Sequence, residues 1–174
     1  MGIFHKDKIP SEPIEECIFC QIVKGKVPCK RIAENKNAIA FLDVAPAADG
    51  HTLVIPKEHY QDLRSCPENV LNDVIALTKE VANILNNSIL KPWGFNYLSN
   101  EGAVAGQVVM HFHIHVIPKY GRNEGFNFEV ANKCVDDINK VYEKIVNPGK
   151  NKFKQVLKPT LLPPLNAQKT KNKK

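Results

Sequence analysis

The segment His111-Phe112-His113-Ile114-His115-Val116-Ile117 constrains this chain more than any other stretch. Polar and apolar residues alternate through it with the period of a β-strand, so three imidazoles share one face and Phe112, Ile114 and Val116 fill the other. Two chemistries suit such a row. Alternate imidazoles can converge on a catalytic Zn²⁺ that keeps one position for activated water. Alternatively, one neutral imidazole attacks phosphorus while its neighbours orient it and handle protons, because a group that titrates near pH 7 serves as nucleophile, acid and base. Just upstream, residues 100–107 read Asn-Glu-Gly-Ala-Val-Ala-Gly-Gln. The backbone N–H groups of this loop, including that of Gly106, and the amides of Asn100 and Gln107 suit a phosphate approaching the strand, which favours phosphoryl chemistry over a simple metal hydrolase.

The rest of the chain supplies a small α+β scaffold for that strand. Residues 38–43, 51–56 and 94–99 are short β-type runs, and the first two, separated by a loop that ends in Asp49-Gly50, should pair antiparallel. Residues 14–24 predict a short helix with Cys17, Cys20 and Val23 on one face and Gly25 as its stop. Ser65-Cys66-Pro67-Glu68 reads as a capping box opening the longest helix, carried by Val70, Leu71, Val74, Ile75, Leu77, Val81, Ile84 and Leu85. A last helix is expected over 135–146, ended by Asn147-Pro148-Gly149. Strands around one long helix imply a sheet with helices on one face.

The 174 residues suffice for one core, expected over 14–148 between an N-terminal extension (1–13) and a C-terminal tail (149–174). The formal charge of +6 belongs to that tail, which holds eight lysines and no acid, leaving 16 basic against 18 acidic residues before it. Such a tail has the charge to touch nucleic acid or an anionic membrane, but a solvated extension is the commoner outcome, and no basic surface interleaved with aromatics marks the body as a nucleic-acid binder. No apolar run approaches the roughly 20 residues of a membrane span, and no secretory signal is visible, so a cytoplasmic protein is expected. Five cysteines (17, 20, 29, 66 and 134) cannot all pair, and Cys17 and Cys20 form a CxxC, which in a reducing compartment indicates metal or redox work.

Four segments, CIFCQIVKGKVPCKRI from Cys17, AFLDVAPAADGHTLVIPKEH from Ala40, NYLSNEGAVAGQ from Asn96 and HFHIHVIPKYGRNEGF from His111, closely resemble the histidine-triad family, and particularly its Hint-like nucleotidyl hydrolases and transferases. The resemblance implies a five-stranded antiparallel sheet with one long and one shorter helix, and a two-fold dimer in which two sheets join. It also implies a purine nucleotide substrate, with His113 attacking the α-phosphate to form a nucleotidyl-histidine that water hydrolyses. His115 and His51 would then contact the phosphate and position the nucleophile, while Asn100 and Gln107 bond the phosphate or leaving group. Asp43, a carboxylate at a strand end able to accept two hydroxyl donors, would take the ribose. Phe19, Ile22, Phe41 and Val44 would line a base pocket by apolar contact. The chain departs from the resemblance at Val108, where many relatives carry Ser or Thr able to relay a proton, so acid catalysis falls to Gln107, the histidines or water.

The CxxC presents two thiolates to one ion, and two later imidazoles would close a tetrahedral Cys₂His₂ shell suited to structural Zn²⁺. The resemblance pairs Cys17 and Cys20 with His59 and His111, with no catalytic metal at the reacting centre. The expected activity is hydrolysis of purine nucleoside 5′-phosphoramidates or related conjugates. A dinucleoside polyphosphate hydrolase, a nucleotide-binding scaffold, and zinc hydrolysis through His111, His113 and His115 are the rival readings.

Overall fold

The computed structural model describes residues 17–127, 129 and 137–147. Its framework is one antiparallel sheet in the order β1-β2-β3-β5-β4, built from β1 (Arg31–Glu34), β2 (Ala38–Leu42), β3 (Thr52–Pro56), β4 (Gly94–Leu98) and β5 (Ile114–Lys119). β2 and β3 pair as expected, with Ala40 opposite Val54. The Asp-Gly turn before His51 needs its glycine, since Gly50 has φ +82° and a Cβ there would stand 3.0 Å from a methyl of Leu85.

Both faces of the sheet are covered. On one, Ala38, Ala40, Val54, Ile114 and Val116 pack against Val70, Val74, Leu77, Val81 and Leu85 of α2 (Glu68–Asn87), residues that recur at three- and four-residue intervals. On the other, Ile39, Phe41, Leu53 and Ile55 pack against Phe19, Cys20 and Ile22 of α1 (Ile18–Val23). The expectation of helices on a single face is therefore corrected. The physical reason was present in β2 and β3, which are apolar at both parities, the pattern of strands buried on two sides.

Two helix starts also differ from expectation. Ser65 does not cap α2: Pro67 holds the N-cap without a side-chain bond, its ring presetting φ at −60°. Ser65 instead closes a turn with Asp62, its Oγ donating to the Asp62 carbonyl at 2.9 Å. α1 begins at Ile18 with Cys17 in extended conformation before it, so the two cysteines do not share a helical face but bracket the first turn; residues 14–16 lie outside the described residues. β1, with the sequence Arg-Ile-Ala-Glu, carries too little alternation to be singled out beforehand. α3 (Ile138–Val146) belongs to a second unit and starts later than expected, at an N-cap where the Asp137 carboxylate accepts from the N–H groups of Asn139 and Lys140. The extension 1–13 and the tail 149–174 lie outside the described residues. No helix among the described residues is long and apolar enough to cross a membrane.

Candidate active site and metal cluster

The face covered by α1 carries the site. Pairing places Phe41, Leu53, His115 and Leu98 in one row across β2, β3, β5 and β4, so the apolar floor beside the imidazoles continues on both sides of β5. Above this row lies a cavity of about 1130 Å³, lined by His51, His113, His115, Asp43, Asn100 and Gly106 among others. Phe19, Ile22 and Phe41 line one part and are almost fully buried, whereas Val44, at its edge, is 99% exposed. Leu53, Leu98, Val109, Ile117 and Phe126 line it too and were not singled out from sequence. Strand alternation would have found two of them: Leu53 follows His51, and Ile117 follows His115, by two residues.

A backbone hydrogen bond fixes which nitrogen of His113 carries the proton. His113 Nδ1 lies 2.7 Å from the carbonyl oxygen of His111. A carbonyl only accepts, so Nδ1 carries a proton, and in the neutral ring the lone pair sits on Nε2. The backbone of His113 is held in turn by Ser99, whose Oγ donates to its carbonyl at 2.8 Å. Burial lowers the pKa of His113 below the usual imidazole range, against the opposing pull of the His111 carbonyl and Asp43. Burial and the like-charge pressure of His113 and His51 push His115 down to about 4. The site therefore holds neutral imidazoles at pH 7, with an unprotonated nitrogen on His113.

Asp43 directly follows β2, with its two oxygens divided. Oδ1 accepts from the N–H of Ala45 at 2.9 Å, while Oδ2 lies 3.6 Å from His51 Nε2 and 4.0 Å from His115 Nδ1. Asn100 lines the cavity and donates to the Gly106 carbonyl at 3.3 Å. The side chain of Gln107 turns inward instead. Its Nε2 donates to the carbonyls of Gln61 and Val109 at 2.7 and 3.1 Å, and its Oε1 accepts from the Gly102 N–H at 2.8 Å. Gln107 is 3% exposed with every amide atom engaged, so it braces the loop that presents Gly106 and Val108 and is not aimed at the cavity.

The CxxC and two histidines meet on the same face. Cys17, Cys20, His59 and His111 bring one donor atom each to within 4.8 Å of one another. Nδ1 of His111 is 3.5 Å from the Cys17 sulfur and 3.6 Å from the Cys20 sulfur, and Nδ1 of His59 is 3.3 Å from the Cys20 sulfur. Zinc bonds of about 2.3 Å to sulfur and 2.0–2.1 Å to nitrogen, at the tetrahedral angle, set sulfur and nitrogen about 3.6 Å apart. The donor set thus fits a tetrahedral zinc. The His111 ring is oriented for it, since Nε2 donates to the Pro56 carbonyl at 3.0 Å and leaves the Nδ1 lone pair toward the sulfurs. Burial and the adjacent Cys17 raise Cys20 to about 11, so its thiol ionises readily only when a cation accompanies it. Phe19, between the two cysteines in sequence, stands edge-on to both His111 and His113, with centroids 5.8 and 5.4 Å away.

A family model described as the HIT domain matches residues 24–122. An uncharacterized HIT-like protein of Mycoplasma genitalium is 48% identical over 135 residues, which cover 78% of this chain and 94% of that protein. An adenosine 5′-monophosphoramidase of Schizosaccharomyces pombe is 42% identical over 109 residues, covering 63% of this chain and 78% of the relative. Among solved structures, a zinc-bound histidine triad family protein from Mycobacterium smegmatis superposes with a TM-score of 0.62 at 37% identity, covering 68% of this chain and 86% of its own. With a family model spanning more than half of the sequence and a relative 48% identical along 78% of it, the chain belongs to the HIT family.

Proposed function

We propose that the protein is a nucleotidyl hydrolase that cleaves purine nucleoside 5′-phosphoramidates or closely related nucleotide conjugates through a nucleotidyl-His113 intermediate. One observation carries the reading: the His113 Nδ1 proton is committed to the His111 carbonyl, which leaves Nε2 as a nucleophile in a ring that lines the cavity. The purine lies on Phe19, Ile22 and Phe41, and Val44 closes the rim. Asp43 meets the ribose through Oδ2, since Oδ1 already serves the turn at Ala45. Asn100 and the Gly106 backbone face the phosphate, with His51 and His115 beside it. His113 Nε2 bonds to phosphorus as the P–N bond breaks, and the departing amine takes its proton from a water molecule in the site. Water then cleaves the nucleotidyl-imidazole and returns the ring to its starting state. Zinc held by Cys17, Cys20, His59 and His111 would be structural, tying α1 to the segment that leads into β5.

The loop between β4 and β5 contains no arginine for a long phosphate chain, and Arg64, which reaches it from the segment before α2, is engaged by Glu101, which disfavours the dinucleoside polyphosphate reading. A two-fold dimer joined through β4 completes the proposal: β4 is an edge strand and Tyr97 on it is 55% exposed. The deciding experiment mixes enzyme with a slight excess of an adenosine phosphoramidate, quenches within one turnover and maps the adduct by mass spectrometry. Adenylyl on His113 is expected. Cleavage with no adduct at that residue, or an adduct elsewhere, refutes the mechanism.

A further inference from the structure

Asp43, His51 and His115 form a second cluster whose donor atoms all lie within 4.8 Å of one another. His51 Nε2 is 3.0 Å from His115 Nδ1, 3.6 Å from Asp43 Oδ2, and His115 Nδ1 is 4.0 Å from that oxygen. A circle through three atoms so spaced has a radius of about 2.1 Å, the length of a zinc bond to nitrogen or oxygen. By spacing alone this is a metal site a few ångströms from the nucleophile, where a bound cation would block the chemistry.

The protonation of His51 excludes it. The Ala47 N–H points at His51 Nδ1 from 3.1 Å. A backbone N–H is only a donor, so Nδ1 holds the lone pair and the ring proton sits on Nε2. That proton can be shared with His115 only if His115 Nδ1 accepts, which places the His115 proton on Nε2. We infer that the Ala47 amide is a positioning group: it fixes one tautomer in His51 and, through it, in His115, so that His115 offers an Nε2–H to the departing group, and it keeps metal ions off the catalytic imidazoles. For His51 Nε2 to bind a cation, its proton would have to leave or move to Nδ1, opposite the Ala47 N–H. Among the described residues nothing accepts from His115 Nε2, and the ring lines the cavity. The metal cluster uses the opposite arrangement, with the Pro56 carbonyl drawing the proton of His111 away from the sulfurs. Two clusters on one sheet face are thus sorted by a donor at one ring and an acceptor at the other.

The loop is built to hold that amide in place. Asp43 Oδ1 accepts from Ala45, His51 N–H donates to the Ala48 carbonyl at 3.0 Å, and Tyr120 donates its hydroxyl proton to the Asp49 carbonyl at 2.9 Å. The Ala47 carbonyl is packed against Gly125, where a Cβ would come within 2.8 Å.

The part of this inference that concerns turnover rests on the proposed nucleotidyl transfer; the tautomers do not. The full-length protein, labelled with ¹⁵N in histidine, is studied by two-bond proton–nitrogen correlation at pH 7.5. His51 and His115 should both appear as Nε2–H tautomers, and an Nδ1–H tautomer of either overturns the inference. Ala47→Gly keeps the N–H and should keep both tautomers. Ala47→Pro removes it: His51 should become a tautomer mixture, kcat on the adenosine phosphoramidate should fall on the order of 10²-fold with KM little changed, and a second equivalent of zinc should bind. A folded Ala47→Pro protein with unaltered tautomers, kcat and zinc stoichiometry overturns it. If that variant fails to fold, the wild-type tautomers decide. If the wild type turns over no nucleotide conjugate, the functional reading falls while the spectra and zinc stoichiometry still judge the lock.

Discussion

Acid should destabilise this protein through its buried imidazoles, and His115 allows the size to be worked out. Its pKa is held at about 4, against 6.5 for a free ring. Between those values the unfolded chain binds a proton that the folded chain refuses. The stabilising contribution is therefore fully present above pH 6.5 and is lost as the pH falls toward 4. At pH 5.5 the free imidazole is about nine-tenths protonated and the buried one almost entirely neutral, which costs the fold about 1.3 kcal/mol relative to pH 7.5. For a domain of this size that corresponds to a melting temperature lower by about 5 °C from this ring alone. His51 and His113, also lowered by burial, add losses of the same sign. The test is urea unfolding of wild type and His115→Gln at both pH values. Glutamine cannot titrate but still offers an acceptor to His51 Nε2–H, so the variant should lose about 1.3 kcal/mol less on acidification. Equal losses in the two proteins would show that His115 is not held neutral by the fold.

His113→Asn should lower turnover of an adenosine phosphoramidate by at least about 10³-fold while calorimetry finds AMP affinity changed little, because binding rests on the apolar floor and Asp43. Cys20→Ser should lower the zinc content on metal analysis and the melting temperature together; equal melting with and without metal would remove the structural role. Phe112→Ala, deleting a ring that is 1% exposed in the core under α2, should cost about 3–5 kcal/mol in denaturant unfolding. Gln107→Ala, which leaves the Gly102 N–H and two carbonyls without their partner, should raise KM for the nucleotide through loosening of the phosphate loop, read by steady-state kinetics.

Legibility followed the range of the interactions. The row of imidazoles, the paired strands 38–43 and 51–56 and the long helix could be read because each is a local periodicity in the sequence. What could not be read depended on partners far along the chain. Gln107 looks like a phosphate ligand beside a glycine, yet the carbonyl of Gln61, 46 residues earlier, claims its amide. Ser65 looks like a cap, yet the turn with Asp62 is available first and Pro67 needs no side-chain acceptor. The two-sided burial of the sheet was visible in the uniform apolar character of β2 and β3, but α1 is only six residues long and does not advertise that it covers a face.

His111 links the metal cluster to the nucleophile in the segment just ahead of β5. Its ring faces the sulfurs of Cys17 and Cys20, and its carbonyl accepts the Nδ1 proton of His113. A metal bound to the ring would restrain the same residue whose carbonyl sets the tautomer of the nucleophile, and Phe19, between the two cysteines in sequence, stands edge-on to both rings. Loss of the metal would free two buried thiols and the His111 ring, and with them the carbonyl that keeps the His113 proton away from Nε2. Metal removal should accordingly lower kcat more than it raises KM for the nucleotide, because Phe41 and Leu53 belong to β2 and β3, and of the residues under the purine only Phe19 and Ile22 ride on α1 beside the cluster. Stopped-flow binding and single-turnover cleavage on one metal-depleted sample separate the two effects, and a loss confined to binding would show that the cluster supports the base side of the cavity and not the nucleophile.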